Sequence, residues 1–246
     1  MSGKRIHLSV LSSTNSYTIE LLSQNGIESW TVVSCDHQSA GKGQRGKRWE
    51  VEPEANLTFS VAIEARIGLE QQYIVSSAAV LAVVNTLEAY GIDARFKWPN
   101  DILVEGEKIA GILIENQVAD GMIRWSVIGI GLNVNQTHFP PYDWPATSMK
   151  RIRKGLDLDK EEVLSLLLQS LKQAWFALAK GKTSANIRRM DELLFGFEDE
   201  VQFEVGGKRV VGMILGLAHD GGLRLALSEG VRTFYNGELK LLRSAS

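Results

Sequence analysis

The chain of 246 residues has a single cysteine, Cys35, so no disulfide can form within it, which fits a reducing compartment. Its four histidines, His7, His37, His138 and His219, are scattered, and with a lone cysteine they offer no zinc-type ligand spacing. Charge of one sign is also lacking. The 27 Lys and Arg nearly balance the 29 Asp and Glu, for a net charge of −2. That argues against broad binding of duplex DNA, which needs a basic footprint, though a local basic loop remains open. No run reaches the roughly 18 apolar residues of a membrane helix. The N-terminal MSGKRIHLSVL lacks the apolar region of ~7–15 residues that a signal peptide requires. A soluble cytoplasmic protein is the expectation. There are no internal repeats and no low-complexity segment. Hydrophobic residues make up 44 % of the chain, enough to exclude a mainly disordered polypeptide. At about 150 residues per domain, the length corresponds to one or two domains.

The apolar patterning divides the chain. Residues 5–11 read as a short strand, SSTN as a loop or helix start, 16–25 as a helix closed by Gly26, and 31–37 as a second strand. Leu57, Phe59, Val61 and Ile63 alternate on one face of a strand. From Glu70 to Tyr90, Ile74, Ala78, Leu81, Val84 and Leu87 recur at helical spacing, with Gly91 as C-cap. A dense β region follows, with Glu105-Gly106 as a hairpin turn. Residues 136–148 are aromatic and Pro-rich and read as loop. A long amphipathic helix then presents Val163, Leu167, Leu171, Trp175 and Leu178 to the core and ends at Gly181. From Glu200 onward, five short strands are separated by glycine turns, as in a small barrel or sandwich. The expected architecture is α/β of the α+β type. Residues 1–196 form a mixed sheet flanked by helices, and 197–246 a small β domain.

Five segments could carry chemistry. Gly41-Lys42-Gly43-Gln44-Arg45-Gly46-Lys47-Arg48-Trp49 combines backbone that a ligand can approach with four cations, which suits a phosphate or carboxylate. A plain solvated basic loop explains it nearly as well. Its G-x-G-x-x-G spacing lacks the following helix of a dinucleotide site, so NAD is not expected, and no P-loop pattern occurs. Asn100 and Asp101 in Lys97-Trp98-Pro99-Asn100-Asp101 could serve Mg²⁺, or simply make a turn. Lys108 leads into an apolar strand, where Ala110 and Gly111 keep the space beside it open; a solvated strand end is the alternative. Gly129 and Gly131 within a strand mark a close approach by a ligand or by another strand. Ser13-Thr14-Asn15 could bind a neutral polar group or cap a helix. No nucleophile–base pair stands out, since Cys35, Asp36 and His37 are strand neighbours that alternate faces.

Taken in order, these segments resemble the biotin–protein ligases. Ser13–Asn15, Gln38–Trp49, Lys97–Asp101, Lys108–Glu115, Gly129–Asn133 and the tail from about Glu200 match that family's succession of motifs over nearly the whole chain. The pairing of KWPND with KIAGILIE is the specific part. The resemblance implies a catalytic domain followed by a barrel of the Src-homology-3 type. It also implies a biotin–[acetyl-CoA-carboxylase] ligase that makes biotinyl-5′-AMP from biotin and ATP with Mg²⁺, then biotinylates a lysine of a biotin carboxyl carrier protein. No zinc or haem is expected.

By the same resemblance, Lys108 contacts the biotin carboxylate and the α-phosphate and is the catalytic residue. Ser13, Thr14, Asn15 and Gln38 bind the ureido end of biotin. Gly41, Lys42, Gly43, Gln44, Arg45 and Gly46 form the loop that closes over biotin and adenylate. Trp49, Gly111, Gly129 and Gly131 wall the pocket. Asn100 and Asp101 serve Mg²⁺ and phosphates, and Asn133 lies near the nucleotide. Lys42 stands where the family has Arg, keeping charge but not the planar fork. Gln44 stands at a commonly basic position, which leaves Arg45 to take over that role. The S-T-N motif at residue 13 leaves no room ahead of it for the helix-turn-helix domain that some members carry, so DNA is not an expected partner. No membrane partner is expected, and a homodimer through sheet edges is an open option. Two other readings share the fold: a lipoate ligase or octanoyltransferase, and a non-catalytic biotin-binding regulator.

Overall fold

A computed structural model describes residues 3–24, 26–50, 52–142, 144–179 and 183–243. The chain opens with β1 (Arg5–Leu11), α1 (Thr14–Ser23), β2 (Thr31–Gln38), β3 (Leu57–Gly68) and α2 (Gln72–Ala89). Next come β4 (Arg95–Lys97), β5 (Asp101–Val104), β6 (Glu107–Ala119) and β7 (Met122–Leu132). Three helices follow: α3 (Met149–Ile152), α4 (Lys160–Ala179) and α5 (Thr183–Leu193). The chain closes with β8 (Glu200–Val205), β9 (Lys208–Leu217), β10 (Leu223–Leu227), β11 (Gly230–Phe234) and β12 (Leu239–Leu241).

Seven strands form one mixed sheet in the order β1-β2-β3-β7-β6-β5-β4. Only β1 and β2 run parallel, and α1 supplies the crossover such a pair needs. The rest is antiparallel, and its tight turns follow local chemistry. Glu105-Gly106 and Asp120-Gly121 both carry positive φ at both positions (52°, 77° and 54°, 72°), the twist of a two-residue hairpin. The first of these turns is legible in the sequence, and the second uses the same device. The five C-terminal strands form a separate antiparallel sheet, β11-β10-β9-β8-β12.

The two faces of the large sheet differ. Leu57, Phe59, Val61 and Ile63 of β3, with Ile128 and Ile130 of β7, point into the main core against α2 and α4. Burying each such side chain contributes roughly 1.5–3 kcal/mol. Helix α2 is not amphipathic as its spacing suggests, since twelve of its 18 residues are buried between sheet and α4. The segment 69–89 is long and apolar enough to cross a membrane by length and composition, but 67 % of its most apolar 18-residue stretch is buried inside the protein, as befits a core helix. Gly91, at φ +72°, ends α2 as expected. In α4 the residues Val163, Leu167, Leu171, Trp175 and Leu178 are all buried, while its expected end at Gly181 lies outside the described residues. Helix α1 starts at Thr14, capped by the Ser13 hydroxyl, earlier than the apolar pattern suggests. It covers the opposite face of the sheet through a smaller cluster, Leu22 with Ala62 and Val127. The rest of that face holds the site.

Candidate functional site

Strand register builds the floor. Directly opposed residues share a face, and two rows cross the sheet on the α1 side. One is Val33, Ser60, Gly129 and Leu113; the other is Thr58, Gly131, Gly111 and Asp101. Three glycines in adjacent positions leave a strip of this face without side chains of its own, and Trp49 and Asn15 sit over it. A methyl group on Gly131 would run into the Trp49 indole, and one on Gly129 into the Asn15 amide. At Gly111 it would meet Trp49 Cζ3 at 3.0 Å and Lys108 Nζ at 3.4 Å. The expected wall residues are thus brought together.

One side of the strip is neutral and polar. Gln38 Oε1 accepts from the Thr14 backbone N–H (2.7 Å) and lies 3.2 Å from its hydroxyl. Asn15 donates through Nδ2 to Glu115 Oε2 (2.7 Å), and its Oδ1 accepts from Ser60 Oγ (2.6 Å). Ser13, Thr14, Asn15 and Ser60 are all buried. Sequence reading finds all of these except Ser60 and Glu115. The signal for Ser60 is present, because it faces opposite to Phe59 and Val61 on an alternating strand.

The other side is charged. Asp101 Oδ1 lies 2.6 Å from Lys108 Nζ and Asp101 Oδ2 lies 3.1 Å from Lys97 Nζ. Both contacts are ion pairs. Side-chain exposure is 14 % for Asp101, 15 % for Lys97 and 27 % for Lys108. Burial pushes the Asp101 carboxyl up, but the ammonium groups of Lys108 and Lys97 outweigh it and hold it below the ordinary carboxylate range. A carboxyl depressed on folding stabilises the fold above its unfolded pKa, and that contribution fades as pH falls through the folded value. The stability gap between wild type and Asp101→Asn, read from urea midpoints, is therefore expected to be full near pH 7 and to shrink below about pH 4. A gap independent of pH would contradict this.

The backbone of Lys108 is clamped on both sides, its N–H to Pro145 O (2.7 Å) and its carbonyl to Thr147 N–H (2.9 Å). The 136–148 loop thus pairs with Lys108 through a single bridge at Ala146. Asn133 is buried here, donating from Nδ2 to Thr147 O (2.9 Å) and securing that segment. Asn100 donates from Nδ2 to Ile112 O (3.1 Å).

Trp49, at the end of the Gly-rich loop, forms a roof over Gly111 and Gly131. Trp49 N–H donates to Gly41 O (3.0 Å), which lies beside Gln38, and Gly43 N–H donates to Lys47 O (2.7 Å). The Trp49 ring centre is 5.4 Å from Lys108 Nζ, and its Nε1 is buried with no acceptor. A buried unpaired donor costs about 1–3 kcal/mol, which an acceptor carried by a ligand would relieve. Lys42 is exposed, and Gln44 begins a 3₁₀ turn. Arg45 adopts a left-handed conformation (φ 58°) and donates to Asn236 O (3.2 Å) and Gly237 O (3.4 Å), in the turn between β11 and β12. Cys35 is buried, its thiol pushed up to about 11 by that burial and by Asp36, which leaves it inert as a nucleophile.

The donor set bears on Mg²⁺. A protein usually holds this ion with one or two carboxylates plus substrate phosphates. Asp101 is the carboxylate here, and both of its oxygens already face lysines. Among the described residues, no group of three His, Cys, Asp or Glu could hold a metal. The side chains therefore do not fit a resident ion, and Mg²⁺ is treated below as part of the ATP substrate.

Comparison with known proteins shows the family. Residues 8–133 match the model of the Biotin/lipoate A/B protein ligase family. The bifunctional ligase/repressor BirA of Bacillus subtilis is 31 % identical over 98 % of this chain and 75 % of its own length. The biotin–[acetyl-CoA-carboxylase] ligase of Mycobacterium tuberculosis is 32 % identical over 94 % of this chain and 86 % of its own. Biotin protein ligase from Aquifex aeolicus, solved in complex with biotin and ATP, superposes with a TM-score of 0.81 at 26 % identity, covering 98 % of this chain and 99 % of that one. The C-terminal sheet corresponds to the Src-homology-3-like unit of that fold. The chain belongs to the biotin/lipoate A/B protein ligase family.

Proposed function

We propose that the protein is an ATP-dependent biotin–protein ligase. The observation that carries this reading is one sheet face, polar at the Thr14–Asn15–Gln38 end and cationic at the Lys97–Asp101–Lys108 end, with glycines between. A fatty-acid tail would find no partners for the polar end, whereas a cyclic urea with donors and an acceptor matches it.

The biotin carboxylate then lies at Lys108. Its oxygen attacks the α-phosphorus of ATP, the bond to the β-phosphate breaks and pyrophosphate leaves, forming biotinyl-5′-AMP. Lys108 and Lys97 offset the repulsion between carboxylate and triphosphate and stabilise charge developing at phosphorus. ATP enters as its Mg²⁺ complex. The Trp49 roof and the Gly-rich loop exclude water from the anhydride. The neutral ε-amine of a carrier lysine next attacks the acyl carbon, the carbon–oxygen bond to AMP breaks, and the amine proton passes to solvent.

The carrier must come to this face. Strand β5 covers β6 only as far as Gly111, and Asn100 bonds Ile112. Beyond that point the outer edge of β6 has no further strand partner among the described residues. That free edge beside the site suits a carrier domain or a second copy of the chain by strand addition. We assign residues 1–196 to catalysis and 197–246 to the small barrel, with Arg45 bracing the roof on the latter. The single cysteine, which excludes an internal disulfide, fits the reducing compartment of a cytoplasmic enzyme.

The test is intact-mass measurement of a biotin carrier domain incubated with the protein, Mg·ATP and one acid at a time. A mass gain of one biotin, with none from lipoate or octanoate, is expected. Gain from lipoate or octanoate alone would move the protein to the other branch of the family. Biotin binding without any gain would make it a regulator.

A further inference from the structure

Lys97 shares Asp101 with Lys108, and a second contact fixes where it sits. Its Nζ lies 4.6 Å from the centre of the Trp144 ring. Trp144 comes from the 136–148 loop and is half-buried. Its Nε1 donates to Gly106 O at the β5–β6 turn (2.8 Å), and its ring meets Phe195 edge-on at 6.0 Å. The next residue, Pro145, accepts the bond from Lys108 N–H. The indole is thus tied to the turn joining the two strands that carry Asp101 and Lys108, and it offers its face to Lys97.

We propose that Trp144 is a positioning residue for adenylation. Its ring face holds the Lys97 ammonium beside Asp101, so that Lys97, Asp101 and Lys108 present a fixed net charge of +1 to the phosphates of ATP. This rests on the adenylating role proposed above. An ammonium on a four-carbon stem has many rotamers, and restraint before the substrate arrives lowers the ordering cost of binding. Without the ring, Lys97 can swing to solvent or fold fully onto Asp101, drawing the carboxylate from Lys108. An aromatic face opposes both, because it attracts the cation without neutralising it.

The first readout does not depend on activity. Ring current from Trp144 should shift the Lys97 Hε proton signals upfield, with assignment by their loss in Lys97→Met. Trp144→Leu should return them to the ordinary lysine position. Ordinary Lys97 shifts in wild type would overturn the proposal.

The second readout is biotin-dependent exchange of pyrophosphate into ATP. Trp144→Leu is expected to raise KM for ATP about tenfold, with KM for biotin unchanged. Trp144→Phe keeps a ring but loses the bond to Gly106, and should stay near wild type. The double variant Lys97→Met/Trp144→Leu should be no worse than Lys97→Met alone, since both substitutions remove one interaction. Losses that multiply, or Trp144→Phe as impaired as Trp144→Leu, would make Trp144 a loop anchor only and overturn the proposal. An upfield Lys97 signal in a wild type with no exchange activity would overturn the adenylating role, and the positioning role with it, while leaving the contact itself intact.

Discussion

Lys108→Ala is expected to lower the rate of biotinyl-adenylate formation by about 10²–10³, the usual loss when a preorganised charge at a reacting centre is removed. The substitution takes the cluster of Lys97, Asp101 and Lys108 from +1 to 0. It also leaves the low-exposure Asp101 carboxylate with one partner instead of two, facing incoming anions. The fold should survive, because the strand at this point is held by backbone bonds to Pro145 and Thr147 that alanine keeps. Pyrophosphate release with biotin and ATP measures the loss, and an unchanged far-UV spectrum and urea midpoint exclude unfolding as its cause. Lys108→Arg should recover part of the rate, because charge returns but the compact ammonium does not. A Lys108→Ala enzyme within threefold of wild type would remove Lys108 from the mechanism.

Gly131→Ala is expected to weaken biotin binding roughly ten- to hundredfold, the scale of 1–3 kcal/mol that an added methyl costs in a closely packed site. Gly131 has no positive φ, so alanine brings no backbone strain. The cost arises from contact, since the new Cβ would overlap the Trp49 indole. Either the roof lifts and water enters, or the floor rises into the space for the ligand. Titration calorimetry with biotin reads the change. Gly106→Ala, at a turn where φ is +77° and no neighbour lies within 4 Å, is the converse control. It should lose stability while binding biotin normally.

These two residues illustrate what was legible beforehand. Lys108 and Gly131 belong to contiguous motifs, where local sequence and resemblance both point to a site. The hairpin at Glu105-Gly106 and the five C-terminal strands were legible for a similar reason, because turn chemistry is local. Helix α5 was not. Its sequence has few apolar residues; Met190 and Leu193 are buried, and the helix packs near β4 and β9, distant in the chain. The burial of α2 on all sides was likewise hidden, because α4 covers it only in three dimensions. Within the site, Ser60 and Glu115 became visible through strand register. Trp144 became visible only once the 136–148 loop was laid against β6. Asp101 changed character: its residue type suggests a metal ligand, yet two lysines occupy its oxygens.

Biotin and ATP are joined on this sheet face with no other protein present. The most direct measurement is to incubate the purified chain with biotin and Mg·ATP and no carrier, quench in acid, and quantify biotinyl-5′-AMP and pyrophosphate by mass spectrometry. The account predicts about one adenylate per active site, with an equal amount of pyrophosphate, and a marked delay in Lys108→Ala. Biotin bound at full occupancy with no adenylate and no pyrophosphate would contradict it.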